Sequence, residues 1–465
     1  MNRSSSLLAL SMAASLSLSA APPNVIIIMA DDQGYQDLGC FGSPKIKTPH
    51  IDQMAKEGMR FTDFYSGASV CTPSRAALLT GCYASRVGNL GVLFPRDARG
   101  LNPTEITIAE LLKTKGYTTA CIGKWHLGHH KQFLPTSQGF DTYYGVPYSN
   151  DMTLDPTQPL AHDIVLREGV TAESVKTHQK KNLVPLMRDT EIIEYPVDQN
   201  TLTKRYTEEA IKFITTNKEK PFFIYLPHSM PHIPVYASPE FEGKSEIGLY
   251  GDSIEELDWS TGQILETLRK LKLDQNTLVI YTSDNGPWKL AQNSWEKGNT
   301  NRRVGGFAHP LRGYKFSRLE GGMRVPTVMW WPGRIPADKT CGEVVASMDF
   351  FATCAEISGA ELPTDRIIDG KSLIPLLEAK EGVKSPHDAF FYRTEAVRRG
   401  KWKLIKGQLY NLEADIGEAT NVAGKHPDVV TRLSALLAAH KKDLSENARP
   451  PGGGPKKPRK PKSKK

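Results

Sequence analysis

A chain of 465 residues that is 39% hydrophobic and 24% charged has a globular composition, with length for one large domain and a smaller companion. Its net charge of +8 does not mark a nucleic-acid binder. Seven of the positive charges (Lys456, Lys457, Arg459, Lys460, Lys462, Lys464 and Lys465) sit in an acid-free tail from Pro451 to Lys465, and the body is close to neutral.

In chain order, Arg3, the apolar serine-interrupted run Leu7 to Leu18 and the small residues Ser19-Ala20-Ala21 read as a secretory signal over residues 1–21. This predicts a periplasmic or secreted protein. The run falls short of the ~20 residues of a spanning helix, and no later segment replaces it, so no transmembrane segment is expected. Val25 to Met29 is a continuous β-rich apolar run, the pattern of a strand buried on both faces. It delivers Asp31 and Asp32 at its carboxyl end, where open parallel sheets bind ligands. Thr48 to Met59 reads as a helix with Ile51, Met54 and Ala55 on one face.

Cys71-Thr72-Pro73-Ser74-Arg75 opens the next helical run. Proline suits a first helical turn, so Cys71 is expected just ahead of a helix N-terminus. Free N–H groups and the positive dipole end favour an oxyanion there, and Arg75 adds a fixed positive fork. The six cysteines (Cys40, Cys71, Cys82, Cys121, Cys341, Cys354) include no Cys-x-x-Cys pair and no dense framework, and their connectivity is not readable.

Thr107 to Lys115 is a helix closed by Gly116, and Thr118 to Ile122 is a strand. The strand runs into Gly123-Lys124-Trp125-His126-Leu127-Gly128, which makes Lys124 and His126 candidate site residues and leaves His129 and His130 as surface residues. Tyr143 to Asp151 reads as an irregular aromatic loop carrying Ser149 and Asn150, and Met152 to Gln199 as a long insertion or lid. Leu202 to Thr215 is an amphipathic helix. Phe222 to Leu226, a third buried strand, leads into a Pro-rich loop that holds His228 and His232. After the helix Asp252 to Leu271, the strand Thr277 to Tyr281 ends in a second acidic loop, Asp284-Asn285-Gly286. A Gly- and Arg-rich loop from Asn301 to Gly322 carries Lys315 and is followed by the strand Val325 to Trp331 and the helix Ser347 to Ser358.

This alternation predicts a doubly wound α/β core over residues 22–385. Beyond Pro386, short strands at Ala389 to Tyr392, Trp402 to Ile405 and Leu409 to Asn411 and an amphipathic helix from Pro427 to Lys441 predict a small antiparallel sheet plus helix domain over 386–444. A disordered basic tail is expected over 445–465.

The candidate residues divide by chemistry. Asp31, Asp32, Asp284 and Asn285 offer only oxygen donors, which suit Ca2+ or Mg2+ rather than zinc. Arg75, Lys124 and Lys315 supply cations for an anionic group, and His126 and His232 suit acid and base work near neutral pH.

Cys71-Thr72-Pro73-Ser74-Arg75 with Leu79-Thr80-Gly81 resembles the maturation signature of the type I sulfatases, in which the cysteine is oxidised to formylglycine by a generating enzyme. Gly123 to Gly128 is similar to a second string of that family, and the likeness runs from Pro23 to about Leu444, closest to the arylsulfatase A and N-acetylgalactosamine-6-sulfatase branch. It implies an alkaline-phosphatase-like core. It implies a divalent cation, Ca2+ with Mg2+ as the alternative, on Asp31, Asp32, Asp284, Asn285 and modified Cys71. Arg75 would steady the formylglycine, and Lys124, Ser149, His232 and Lys315 would contact substrate, with His232 preferred over His228 as the proton donor. The implied reaction is attack on sulfur by a hydroxyl of the hydrated aldehyde, followed by proton removal from the second hydroxyl by His126 and expulsion of sulfate. Asn150 stands where some relatives carry histidine. The resemblance thus implies a sulfuric ester hydrolase, with sulfated carbohydrates or aryl sulfates as substrates. A phosphonate or phosphate ester hydrolase of the same superfold and a non-catalytic secreted glycan-binding protein are the alternative readings.

Overall fold

The computed structural model describes residues 22–88, 90–177, 180–288 and 305–453. The expected signal segment lies outside these residues, as does the part of the Gly- and Arg-rich loop before residue 305. Among the described residues no helix is long and apolar enough to cross a membrane.

The core is an eleven-stranded mixed sheet. Its centre is parallel: Asn24–Ala30 lies between Thr277–Ser283 and Phe222–Pro227, and the latter pairs in turn with Thr118–Ile122 and that with Thr142–Gly145. Asn24–Ala30, Phe222–Pro227 and Thr277–Ser283 are buried along their length, as continuous apolar runs require when helices cover both faces. The helices Leu202–Thr216 and Leu249–Lys270 pack against one face together with Pro49–Glu57. Cys71–Thr80, Ile108–Lys113 and Asp349–Ser358 pack against the other. All five central strands are parallel, so their carboxyl ends and the loops that follow them share one edge of the sheet.

Three readings of the sequence change here. Tyr143 to Asp151 is not wholly a loop, since Thr142–Gly145 is a strand of the sheet. Met152 to Gln199, read as a long insertion or lid, is part of the sheet. Leu160–Leu166, Leu186–Arg188 and Glu191–Tyr195 add to the sheet edge, and Val175, Val184 and Met187 are buried. Short strands with charged turns show weak periodicity, and pairing with a distant edge made them strands. His129 is buried rather than on the surface, with its Nε2 2.6 Å from Asp155 Oδ2; Asp155 comes from the segment read as an insertion.

The small C-terminal sheet has four antiparallel strands, Phe390–Tyr392, Ala396–Arg399, Trp402–Ile405 and Gln408–Asn411. The second of these was not read from the sequence. The helix Pro427–Asn447 packs on this sheet and extends beyond the expected helix end at Lys441. The chain after it is ordered further than expected. Arg449 pairs with Glu105 at 2.7 Å, and Gly452 bridges to Gly100. The disordered tail expected from 445 therefore does not begin there, and residues 454–465 lie outside the described set.

A buried charge network joins this sheet to the core. Glu320 is fully buried and takes Lys403 Nζ at 2.8 Å and Tyr65 Oη at 2.5 Å, with Arg324 and Arg398 at 3.4 and 3.8 Å. Glu418 meets the same lysine at 2.8 Å and accepts the Glu320 N–H. Burial alone would raise the Glu320 carboxyl, but Lys403, Arg398 and Arg324 overcome it and hold it far below the usual carboxylate range. Removing one partner leaves buried, uncompensated cations. Glu320→Gln is therefore expected to lower stability by about 3–5 kcal/mol, measured by urea unfolding. A loss below about 1 kcal/mol, the scale of an exposed pair, would mean that the network does not hold the two parts together.

Candidate active site

Cys71 is the first residue of the helix Cys71–Thr80, with Val70 as its cap, and so lies in the first turn rather than ahead of it. The whole helix is buried. It stops at Gly81, whose φ of 68° is left-handed and whose N–H bonds Ala77 O. A Cβ on Gly81 would lie 2.6 Å from Phe351 Cβ, so the Thr-Gly that follows the helix is a close-packed stop. One turn into the helix, Arg75 points at the sheet edge. Its Nε and Nη2 donate to Asp284 Oδ2 at 3.1 and 2.8 Å, and its Nη1 donates to the Lys124 carbonyl at 2.7 Å.

The two acidic loops meet there. The Asp32 N–H donates to Asp284 Oδ1 at 3.1 Å, and Asn285 Nδ2 donates to Asp32 Oδ1 at 2.7 Å. Asp32 holds a φ of 67°, a backbone strain of the kind that collects at functional sites. The Asp284-Asn285-Gly286 loop rests on the Glu320-Gly321-Gly322 segment. Gly286 N–H bonds Gly322 O, and a Cβ on Gly286 would fall 1.8 Å from Gly321 O. Only glycine allows that approach, which ties the Lys315 loop to the second acidic loop.

The cations enter from two sides. Lys124 Nζ is paired with Asp31 and lies 3.2 Å from Ser149 Oγ. Lys315 Nζ sits 2.6 Å from Asp32 Oδ1. Ser149 Oγ continues to His232 Nε2 at 3.2 Å, and that nitrogen is 3.6 Å from Asp32 Oδ2. Asn150 is fully buried beside His232. Its Oδ1 accepts from His232 Nδ1 at 2.9 Å and its Nδ2 donates to Pro234 O at 2.8 Å, so it orients the His232 ring. His228 is buried elsewhere, 3.4 Å from Ser260 of the long helix. The Cys71 thiol lies within electrostatic reach of Lys124, Lys315, Asp31 and Asp284.

Burial and charge set the protonation states. Burial raises the Asp31 carboxyl, but the charges of Lys124, His232, Arg75 and Lys315 outweigh it and hold it far below its usual value. Asp284 is pushed up to about 7 by burial and by Asp31, against the pull of Arg75. Three carboxylates this close repel one another, which a bound cation would relieve. Burial and Lys124 press His126 well below the usual imidazole value. Its Nε2–H donates to Leu93 O at 2.9 Å, while its buried Nδ1 has no partner. The ring is thus neutral with a free lone pair, the state a base needs. Burial, Lys315 and Lys124 similarly depress His232 in the free protein.

The donor set fits a hard divalent cation. Asp31 Oδ1 and Asn285 Oδ1 are buried without hydrogen-bond partners, an arrangement that costs about 1–3 kcal/mol each unless something completes it. Both are oxygens, from the two acidic loops, and Asp32 lies between them in the hydrogen-bond chain. Donor atoms of Asp31, Asp32 and His232 also lie within 4.8 Å of one another, so the histidine borders the same space.

Two aromatic residues at the site had no sequence signal beyond being exposed-loop aromatics. The Trp288 ring is 5.8 Å from the His232 ring with Lys315 Nζ 4.9 Å above it, and Phe316 stands 5.4 Å beyond Trp288.

The sulfatase family profile matches residues 23–360, and that of the N-sulphoglucosamine sulphohydrolase C-terminal region matches 315–443. Steryl-sulfatase of Rattus norvegicus is 40% identical over 413 residues, covering 76% of this chain and 70% of the relative. N-acetylgalactosamine-6-sulfatase of Mus musculus is 37% identical over 404 residues, covering 82% and 71%. Among solved structures, Ps i-CgsB in complex with k-i-k-neocarrahexaose superposes with a TM-score of 0.75 at 30% identity over 92% of this chain and 95% of that one. The phosphonate monoester hydrolase of Agrobacterium radiobacter, at a TM-score of 0.62 and 19% identity over 91% and 96%, shares the fold alone. The mixed sheet with its small antiparallel companion is the alkaline-phosphatase-like fold of these neighbours. With a family match across most of its length and a buried polar cluster at the strand ends of that fold, the chain belongs to the sulfatase family and is a sulfuric ester hydrolase.

Proposed function

We propose that this protein is exported by its N-terminal signal and removes sulfate from sulfated carbohydrates. It would use a formylglycine made from Cys71 by a maturation enzyme, and a Ca2+ ion, with Mg2+ as the alternative, held by Asp31, Asp32, Asp284, Asn285 and the modified residue. The observation that carries this reading is the meeting of Cys71, three buried cations and two unpartnered acidic-loop oxygens at one point of the sheet edge. The saccharide part is supported by relatives named N-acetylgalactosamine-6-sulfatase and by a neighbour in complex with k-i-k-neocarrahexaose.

When bound, the cation would supply positive charge against the anionic sulfate group. Matured Cys71 supplies a hydrate whose one hydroxyl attacks sulfur and whose second allows sulfate to leave. The chain's own side chains do the rest. Lys124 and Lys315 flank the anion and stabilise charge that grows on the sulfuryl oxygens. Arg75 is locked on Asp284 and the Lys124 carbonyl, which fixes the nucleophile's surroundings. His232 would meet the incoming sulfate ester beside Lys315 and Lys124. With its Nδ1–H tied to Ile233 O and Asn150, its Nε2 is left to protonate the leaving alcohol, with Lys315 beside it. His126 Nδ1 is free to take a proton.

The test is the Cys71 peptide together with a pair of substrates. Protein made in a maturation-competent host is expected to carry the aldehyde at Cys71 by mass spectrometry and to prefer an aryl sulfate to the matching aryl phosphonate. A peptide with only the thiol, or a preference for the phosphonate, would refute the reading.

A further inference from the structure

The leaving-group side of the site does not end at His232. Trp288 touches both candidate proton donors, and Phe316 follows it, 52% exposed. Phe316 also lines a cavity of about 440 Å3 between the Lys315 loop and the C-terminal sheet, with Arg312, Arg318, Glu395, Lys406 and Gln408. Three cations face one carboxylate there. Arg318 takes that carboxylate at 2.9 Å and also donates to Ser69 Oγ at 2.9 Å, two residues before Cys71, so it is rooted on the catalytic helix side. Arg312 lies over the Tyr410 ring, 5.6 Å from its centroid. Among the described residues, neither Arg312 nor Lys406 has a carboxylate partner. A second cavity of about 470 Å3 shares Lys406 and Glu395 and adds Lys441.

We propose that this crevice is a subsite for a second anionic group of the substrate, a sulfated or carboxylated sugar next to the ring that loses its sulfate. The inference rests on the sulfated-carbohydrate reading above and narrows it to polyanionic oligosaccharides. The alcohol departs past His232 and Lys315, so the rest of the substrate must lie over Trp288 and Phe316, and the next space along that path is lined with cations. Aromatic faces suit a pyranose ring, and guanidinium and ammonium groups suit sulfate or carboxylate oxygens. A neutral sterol would leave Arg312 and Lys406 unpaired against an apolar surface.

Binding of tagged chondroitin sulfate and carrageenan oligosaccharides, from disaccharide to hexasaccharide, to the Cys71→Ala protein tests this without turnover. Affinity is expected to rise about tenfold with length, the worth of one charged hydrogen bond. The gain should vanish in Cys71→Ala carrying Arg312→Glu and Lys406→Glu, both on exposed residues. Added to the enzyme with Cys71 intact, the same pair should leave 4-nitrocatechol sulfate turnover within about twofold. Unsulfated chondroitin separates the sources: a retained gain assigns the carboxylate and a lost gain the sulfate, and either supports the subsite. No gain with length in any series, or an equal loss for disaccharide and hexasaccharide, overturns it. Length-dependent binding without sulfate release by the intact enzyme would leave the subsite standing and remove the catalytic reading.

Discussion

Cys71→Ala and Cys71→Ser are expected to lose steady-state sulfate release by on the order of 10^4-fold or more, the scale of removing a nucleophile, while folding normally. Cys71 is a small buried residue at a helix start, and neither replacement adds volume or breaks the turn. The serine variant carries the sharper result. Its hydroxyl can attack sulfur once, but it has no second hydroxyl from which a proton can be drawn to expel sulfate. A single burst of alcohol no larger than the enzyme concentration is expected, followed by no turnover. Circular dichroism and thermal unfolding check the fold, and stopped assays with an aryl sulfate check the burst. Near-normal steady-state activity in either variant would refute a formylglycine mechanism.

His232→Ala is expected to slow sugar sulfates by about 10^2–10^4-fold, the usual contribution of a positioned acid, and activated aryl sulfates far less. An aryl oxide leaves without a proton, whereas a sugar alkoxide does not. The dependence of kcat on leaving-group basicity should therefore steepen in the variant. Equal losses on both substrate classes would remove His232 as the acid and leave Lys315, 2.6 Å from Asp32, as the donor. Asn150 belongs to the same experiment through its hydrogen bond to the His232 ring, which would hold the proposed acid in place.

Much of this is legible in the amino-acid sequence. The buried central strands announce themselves as unbroken apolar runs, and the structure places Thr118–Ile122 where the sequence does. The candidate site residues are legible for a related reason. Polar groups directly after such strands cannot be packing residues, so Asp31, Asp32, Lys124, His232, Asp284 and Asn285 stand out against their surroundings. Less was readable where a residue's state depends on a partner far away in the chain. The strands between Leu160 and Tyr195 are charged and short, and they exist because an edge of the sheet accepts them. His129 looked exposed in a run of polar residues, and it is buried because Asp155 folds over it. Arg449 pairs with Glu105 across 344 positions, which no local pattern reveals.

What the sequence determined by itself is the inventory: which strands form the core, which residues follow them, and which cysteine heads a helix. Apolar periodicity and glycine and proline chemistry act over a few residues, so they survive in the linear string. The tertiary structure decided the relations among those parts. It aligned the parallel strands so that their carboxyl ends converge, closed the Gly286–Gly321 contact that seats Lys315 over Asp32, and turned Asn150 toward His232. It also tied the C-terminal sheet to the core through buried Glu320 and opened a cationic crevice beside Phe316. Electrostatics and close packing depend on distance in space rather than on separation along the chain, and only folding sets those distances.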